Sequence, residues 1–138
     1  MRRFMSLSLL AALSTATAVT PAPLHGIWTL TGLTSHGRTT PAPRSTLLIS
    51  GTHVGGQLGC GSYQGTISAA HNVATFQVTP DAPAPNVRCL YALPGAYHAA
   101  LNEVTGYAIS QDTKHLILFS KTGRLTFERI GYVTPAKQ

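Results

Sequence analysis

Apolar and polar residues alternate along most of this chain in short runs, which Gly, Pro, Asn and Asp separate. Alternation with a period of two is typical of strands that bury one face. Trp28 and Leu30 fall on one face of the run HGIWTLTGL, and Leu125 and Phe127 fall on one face of the run RLTFERI. The pattern therefore predicts a domain built mostly of antiparallel strands.

The same criterion assigns strands to most of the domain. The predicted strand segments are HGIWTLTGL, STLLIS, HVGGQLGCGSYQGTIS, NVATFQV, TGYAIS, KHLILFS and RLTFERI. Turns are predicted at SGTH, SQDT and KTGR, which lie at 50–53, 110–113 and 121–124. The stretch GQLGCGSYQG, at 56–65, is interpreted as one curved strand whose glycines allow a bulge or a close approach of backbone.

One helix is predicted within ALPGAYHAALNEV, because Tyr97, Leu101 and Val104 recur at helical spacing. Pro94 suits the first turn of this helix, and Gly106 suits a position just beyond its end. The expected fold class is α+β and mainly antiparallel β: a small curved sheet or partly closed β-barrel of about seven or eight strands, with one helix packed on it.

The N-terminus has the pattern of a secretory signal peptide. Arg2 and Arg3 precede an uncharged run that closes with Ala16-Thr17-Ala18, an A-x-A cleavage motif. A membrane-spanning helix is the alternative, but the run is short and rich in Ser, Thr and Ala. We expect an exported chain, periplasmic or secreted, without a transmembrane segment after cleavage near Ala18. The expected divisions are a signal peptide at 1–18, a leader at 19–24, a domain at 25–131 and a tail at 132–138.

Charge narrows the choice of partners. The chain has 10 Lys and Arg against 4 Asp and Glu, and removal of Arg2 and Arg3 leaves 8 against 4, a net charge of +4. The remaining cations are dispersed and form no basic stripe, so we expect no nucleic-acid binding. A weak attraction to an anionic envelope surface is compatible with this charge. The protein is expected to be a monomer.

The residues around Cys60 do not match a known reactive motif. A nucleophile on a strand-to-helix turn needs glycine two residues away on both sides, where Leu58 and Ser62 stand. A phosphate-binding G-x-G-x-x-G turn needs glycine in place of Gln64 and a helix after it. The histidines and cysteines lack paired metal-ligand spacing, and the four carboxylates offer few acid–base pairs. We expect no catalytic residues, no metal and no cofactor.

Cys60 and Cys89 are the two cysteines of the chain. In an exported protein their pairing is the default expectation, and a loop of this length stabilises a fold by roughly 3 to 4 kcal/mol. Two free thiols are the alternative, since sequence does not give the distance between the sulfur atoms.

Several of these stretches together resemble the META domain family, which includes the HslJ-like bacterial heat-shock proteins. The resemblance covers about residues 24–131, and its most specific part is a GC-N-x-Y-x-G pattern in which this chain has Gly61 at the asparagine position. The residues that carry the resemblance include Gly26, Trp28, Gly59, Cys60, Tyr63, Gly65, Cys89, Gly123 and Phe127.

The resemblance implies a small β-rich domain in exported or envelope-associated proteins linked to heat or envelope stress, and it implies no catalytic activity. We therefore expect a non-enzymatic envelope or stress-related interaction module whose partner is an unknown protein or small ligand. One alternative is a ligand-binding β-barrel. An interior filled by side chains would oppose it, and the expected filling residues are Trp28, Leu30, Phe76, Tyr107, Leu118 and Phe127.

A further alternative is an inhibitor of an exported hydrolase, suggested by small size, one disulfide and a Pro-rich loop at 79–88. An enzyme is the least favoured alternative. It would require Cys60, Tyr63 and a histidine to converge in one open cleft.

Overall fold

The computed structural model describes residues 20–40, 44–59, 61–81 and 94–133. Within these ranges the chain forms nine strands and one α-helix, preceded by a short 3-10 helix at Ala22–Leu24. The elements are β1 (Gly26–Ser35), β2 (Arg38–Thr40), β3 (Thr46–Ser50), β4 (His53–Leu58), β5 (Gly61–Ala70), β6 (Val73–Pro80), α1 (Pro94–Asn102), β7 (Gly106–Ile109), β8 (His115–Phe119) and β9 (Gly123–Gly131). The expected class, mainly antiparallel β with one helix, is confirmed.

Eight of the strands, β1 and β3 to β9, close into a ring. Strand β1 closes it, because it pairs with β3 on one side and with β9 on the other. Strand β2 lies outside the ring and pairs with the last residues of β1. A two-residue turn joins them, and its residues His36 and Gly37 have φ of 51° and 77°. The sequence pattern did not predict β2, because three residues are too few to show alternation.

The interpretation of 56–65 as one curved strand is wrong. Strands β4 and β5 form a hairpin in which Leu58 pairs with Gly61, and the pairing continues to His53 and Thr66. Gly59 has φ of 60°, a conformation that glycine adopts without strain. Both strands of the hairpin carry small and polar residues, so the sequence pattern did not mark the reversal.

The expected close approach of backbone in this stretch is confirmed at two glycines. A Cβ at Gly56 would lie 1.9 Å from the carbonyl oxygen of Thr46, and a Cβ at Gly65 would lie 1.9 Å from that of Gln77. Any side chain at either position would collide with backbone of the neighbouring strand.

The ring is not evenly closed. Strands β6 and β7 pair at the single position Val73–Gly106, and α1 packs against β6. At the end of α1 the Asn102 side chain takes the place of a strand partner: its Oδ1 accepts from the Val78 amide at 2.8 Å and its Nδ2 donates to the Val78 carbonyl at 3.1 Å. Both backbone groups of Val78 are thereby satisfied on the side of β6 that faces away from β5.

The helix agrees with its prediction, whereas Gly106 does not. Helix α1 begins at Pro94, inside the predicted segment. Gly106 was expected to follow the helix end, but it is the first residue of β7, where the Phe119 ring lies over it. A Cβ at Gly106 would be 2.4 Å from that ring, so close packing explains this glycine better than helix termination.

Side chains fill the interior of the ring. The large residues with inward positions on the strands are less than one-tenth exposed. They include all six side chains that were expected to fill it: Trp28, Leu30, Phe76, Tyr107, Leu118 and Phe127. The core also extends before residue 25, since Leu24 is buried and its carbonyl accepts a hydrogen bond from the Trp28 indole at 3.0 Å.

Candidate functional site

Two tyrosine hydroxyls meet inside the domain, one from the hairpin of the family-like motif and one from the helix. The Tyr63 and Tyr97 hydroxyl oxygens are 2.8 Å apart, and Tyr63 donates to the carbonyl oxygen of Thr46 at 2.6 Å. Because Tyr63 has a single hydroxyl proton, Tyr97 is the donor between the two tyrosines. The rings pack edge to face with centroids 5.5 Å apart. This chain of hydrogen bonds ties α1 to β3 through β5.

Burial raises the pKa values of both tyrosines. It raises the pKa of Tyr63 far above its ordinary value, and the adjacent Tyr97 raises that pKa further. Burial also raises the pKa of Tyr97, although the neighbouring hydroxyl groups of Ser45 and Tyr63 oppose the shift. Both phenols therefore stay neutral at physiological pH, and neither suits the role of a general base or an anionic nucleophile.

Ser45 and His98 border the tyrosine pair and are themselves buried. The His98 ring centroid lies 5.5 Å from that of Tyr63 and 5.9 Å from that of Tyr97. The Ser45 hydroxyl lies beside both phenols but has no hydrogen bond of good geometry within the described ranges. Tyr63 thus does meet a histidine, but in a buried cluster and not in an open cleft.

The disulfide remains a prediction, because Cys60 and Cys89 lie outside the described residues. Those that are described contain no group of three or more His, Cys, Asp or Glu side chains placed to hold a metal ion. In the same part of the chain, no helix is long and apolar enough to cross a membrane.

A second cluster closes the end of the ring where the chain enters β1. The Arg129 side chain on β9 donates to three backbone carbonyls, those of Thr113 at 2.9 Å, His25 at 2.7 Å and Pro23 at 2.6 Å. A guanidinium with its five donors suits several carbonyls at once, which one ammonium group matches less well. Arg129 therefore fixes the entering segment and the turn after β7 to the last strand.

The same guanidinium is held between two aromatic rings. Its central carbon lies 4.2 Å from the centroid of the Trp28 ring and 4.7 Å from that of Tyr132. Gly26 leaves room for it, because a Cβ there would be 2.1 Å from Arg129 Nη1. Two residues of the family-like motif, Gly26 and Trp28, thus serve this closure.

The other motif residues lie elsewhere. A Cβ at Gly123 would be 2.0 Å from the Thr34 carbonyl oxygen, so this glycine permits close contact of β9 with β1. Phe127 is buried in the core, whereas Tyr63 lies in the tyrosine cluster. The described motif residues therefore shape several separate contacts and do not form one reactive site.

The outer surface carries exposed apolar side chains on neighbouring strands. Val73 on β6 is 58% exposed, and Ile117 and Phe119 on β8 are 38% and 41% exposed. Ala108, also exposed, pairs with Ile117. The sequence pattern did not predict this surface. Alternation within one strand does not show which outward-facing apolar residues of different strands will become neighbours.

A groove of about 460 Å³ lies along β6 near the end of α1. Its lining residues carry no titratable group, and they are Thr66, Phe76, Gln77, Val78, Thr79 and Asn102. The polar side chains that line the groove are hydroxyls and amides.

Sequence reasoning placed Tyr97 only as one apolar position of a helix and did not predict its hydroxyl partner. The contacts of Arg129 were not predicted either. The pairing of residues more than 100 positions apart, such as Arg129 with His25, depends on closure of the ring.

Comparison with known proteins supports the fold. No family model matches the chain, and no curated protein matches it. Among solved structures, the chain is similar to an NMR structure of a protein from Burkholderia xenovorans, with a TM-score of 0.61 and 23% sequence identity over 76% of this chain and 81% of the other. At this identity the similarity establishes a shared fold and nothing about activity.

Proposed function

We propose that this chain is an exported, non-enzymatic interaction module of the META-domain type, which acts at the cell envelope through its outer sheet face. The observation that carries the proposal is the division of the domain into a filled interior and an exposed apolar exterior. The core side chains occupy the space that a ligand inside the ring would need, while Val73 and Phe119 are exposed to solvent.

The polar groups of the domain support a non-enzymatic role. The hydroxyls of Tyr63 and Tyr97 are committed to each other and to the Thr46 carbonyl, away from solvent. Asp112 accepts from the Ser110 hydroxyl and the Lys114 amide, which lower its pKa and make it a turn residue. Tyr63, Tyr97 and Asp112 thus carry hydrogen bonds within the fold, which supports a structural role for these three side chains.

Export, family membership and a stress role rest on the sequence. The signal pattern at 1–18 and the META-like landmarks motivate them, and the single pair of cysteines agrees with an oxidising compartment. The small-ligand alternative is less well supported, because the interior is packed and the groove along β6 lacks charged or aromatic anchors apart from Phe76.

The proposal is tested in a deletion strain grown under heat and envelope stress. We expect a growth defect that the full chain corrects after processing near Ala18. The version with Arg2 and Arg3 replaced by Glu should remain inside the cell and should not correct the defect. Wild-type growth of the deletion strain together with unchanged protein levels under both stresses would contradict the proposal, as would an unprocessed chain in the cytoplasm.

A further inference from the structure

The exposed apolar residues share one face of the ring with a cation. Val73 pairs with Gly106, Gly106 pairs with Phe119, and Phe119 pairs with Arg124. Arg124 in turn pairs with Thr34. Residues in register on adjacent strands project to the same side of a sheet, and Arg124 and Phe119 are both exposed. An arginine therefore stands directly beside the exposed phenylalanine.

Close packing of the Phe119 ring joins the apolar side chains into one patch. The ring covers Gly106, where an added Cβ would be 2.4 Å from it, and so extends across β7 towards Val73. Ile117 lies two residues before Phe119 and points to the same face, where it meets Ala108 across the strand pair. The patch thus spans β6, β7 and β8.

More positive charge lies at the strand ends next to this patch. The His36 amide donates to the Thr122 carbonyl at 2.7 Å, which joins the turn after β1 to the turn after β8. Lys121 is exposed and lies in the turn that joins Phe119 on β8 to Arg124 on β9. We call Lys121 and Arg124 the cationic rim. A carboxylate also lies there, Glu103, whose Oε2 accepts from Thr122 Oγ1 at 3.4 Å. Two cations and one carboxylate thus lie at this end of the patch.

We propose that this face docks onto a lipid bilayer that carries anionic head groups, with Phe119, Ile117 and Val73 at the boundary of the acyl chains and the cationic rim at the phosphates. The inference rests on the proposed function, because it names the partner class of an envelope module. Apolar side chains beside Lys and Arg are the pattern by which proteins bind anionic membrane surfaces.

The shape of the face favours a bilayer over an acidic peptide. The outer side of a closed ring of strands is convex, whereas peptides are recognised in grooves or at free strand edges. A convex patch flanked by cations can contact a broad anionic surface without a groove or a free strand edge. Strand β8, which carries Phe119 and Ile117, pairs with β7 on one side and with β9 on the other, so it has no free edge for strand addition.

The test is sedimentation of the purified chain with vesicles of phosphatidylcholine alone and of phosphatidylcholine mixed with phosphatidylglycerol. We expect binding to the mixed vesicles only, and less binding as ionic strength rises. Arg124→Gln and Lys121→Gln should each weaken binding about fivefold. The matched control is Lys114→Gln, an exposed cation in the turn between β7 and β8, which should cause a much smaller loss.

The apolar part is tested by Phe119→Ser and Val73→Ser, each expected to weaken binding roughly fivefold to tenfold. The second variant leaves Phe119 over Gly106, so it retains the packing of β7 if Phe119→Ser unfolds the domain. Ile130→Ser is the matched control, because Ile130 is 58% exposed, as Val73 is, but lies on β9 away from the patch.

Equal binding to both vesicle types, equal losses in the controls, absence of binding, or equally tight binding of polyglutamate by the same residues would overturn the inference. All variants share one N-terminus, so their differences do not depend on whether the signal has been removed. A chain that is processed and exported but does not bind vesicles overturns this inference alone. A chain that binds vesicles but stays in the cytoplasm overturns the proposed function.

Discussion

The guanidinium carbon of Arg129 lies 4.2 Å from the centroid of the Trp28 ring, although the two residues stand near opposite ends of the folded domain in sequence. Pairing of β1 with β9 brings them together. The carbonyls of His25 and Pro23 then accept from the same guanidinium. This contact closes the ring, so its loss should affect the whole fold and not only the N-terminal segment.

Gly26→Ala tests this closure. Gly26 has φ of 149°, and a Cβ there would collide with the Arg129 guanidinium at 2.1 Å and with the Gly131 carbonyl at 2.8 Å. We expect the free energy of unfolding in urea to fall by roughly 2 to 3 kcal/mol, as in other overpacked sites. Trp28 is the single tryptophan, so its fluorescence should report the loss of the stacked guanidinium.

The matched control for this prediction is Gly37→Ala. Gly37 also has positive φ, 77°, but nothing lies within 4 Å of an added Cβ. Its substitution should cost only the backbone strain, about 1 kcal/mol. Equal losses for the two alanine variants, with unchanged Trp28 fluorescence in both, would contradict the role assigned to Gly26.

The two tyrosines should tolerate loss of their hydroxyls unequally. Tyr63→Phe leaves the Thr46 carbonyl and the Tyr97 hydroxyl without their partner, so we expect a loss of about 2 kcal/mol of unfolding free energy. Tyr97→Phe leaves the bond from Tyr63 to Thr46 intact and should cost about 1 kcal/mol. Thermal or urea unfolding of the two variants shows which substitution costs more unfolding free energy. A larger loss in Tyr97→Phe would contradict the assignment of Tyr97 as the donor to Tyr63.

Stability should fall in alkaline solution because Tyr63 and Tyr97 are buried. Burial raises the pKa of Tyr63 and of Tyr97 in the folded state, so above the ordinary pKa of 10.0 the unfolded chain loses protons that the folded chain retains. Tyr63 should therefore lower the free energy of unfolding by about 1.4 kcal/mol between pH 8 and pH 11, and Tyr97 should change it in the same direction.

The measurement is urea unfolding at several pH values. In Tyr97→Phe the alkaline decrease in unfolding free energy should be smaller than in the wild type, because one of the two buried phenols is absent. The control variant is Tyr132→Phe, because Tyr132 is exposed and its replacement leaves both buried phenols in place. An alkaline loss that is the same in all three proteins would mean that the buried phenols do not cause it.

The cysteines give a prediction that depends on compartment. Cys60 and Cys89 should resist thiol labelling in the folded, exported protein until a reductant is added, because we predict that they are paired. Cys60→Ser should then lower the free energy of unfolding by roughly 3 kcal/mol under oxidising conditions and by little in reductant. Labelling of both thiols without reduction would exclude the disulfide.

The sequence predicted the strands with strict alternation well. In β6 and β9, Phe76 and Phe127 are buried between exposed or half-buried neighbours, as their periodicity indicated. The strand prediction failed in segments that lack alternation of apolar and polar residues. The hairpin at Gly59 looked like one strand, and β2 was missed because its three residues offer no alternation.

The candidate sites were harder to predict than the strands, for a physical reason. Tyr63 and Tyr97 meet because α1 packs beside a gap in the ring, and Arg129 meets Trp28 because the ring closes. Both contacts depend on tertiary geometry that local periodicity does not encode. The outer patch around Phe119 likewise depends on which strands become neighbours.

The central claim is that the exported chain acts through its outer face, and fractionation of cells that produce the full chain tests it most directly. The wild-type protein should be recovered in its processed form with the envelope membranes. The double variant Phe119→Ser, Arg124→Gln should be recovered in processed form in the soluble exported fraction, whereas the control Ile130→Ser, Lys114→Gln should fractionate as the wild type does. An unprocessed chain in the cytoplasm, or the same distribution for all three proteins, would contradict the account.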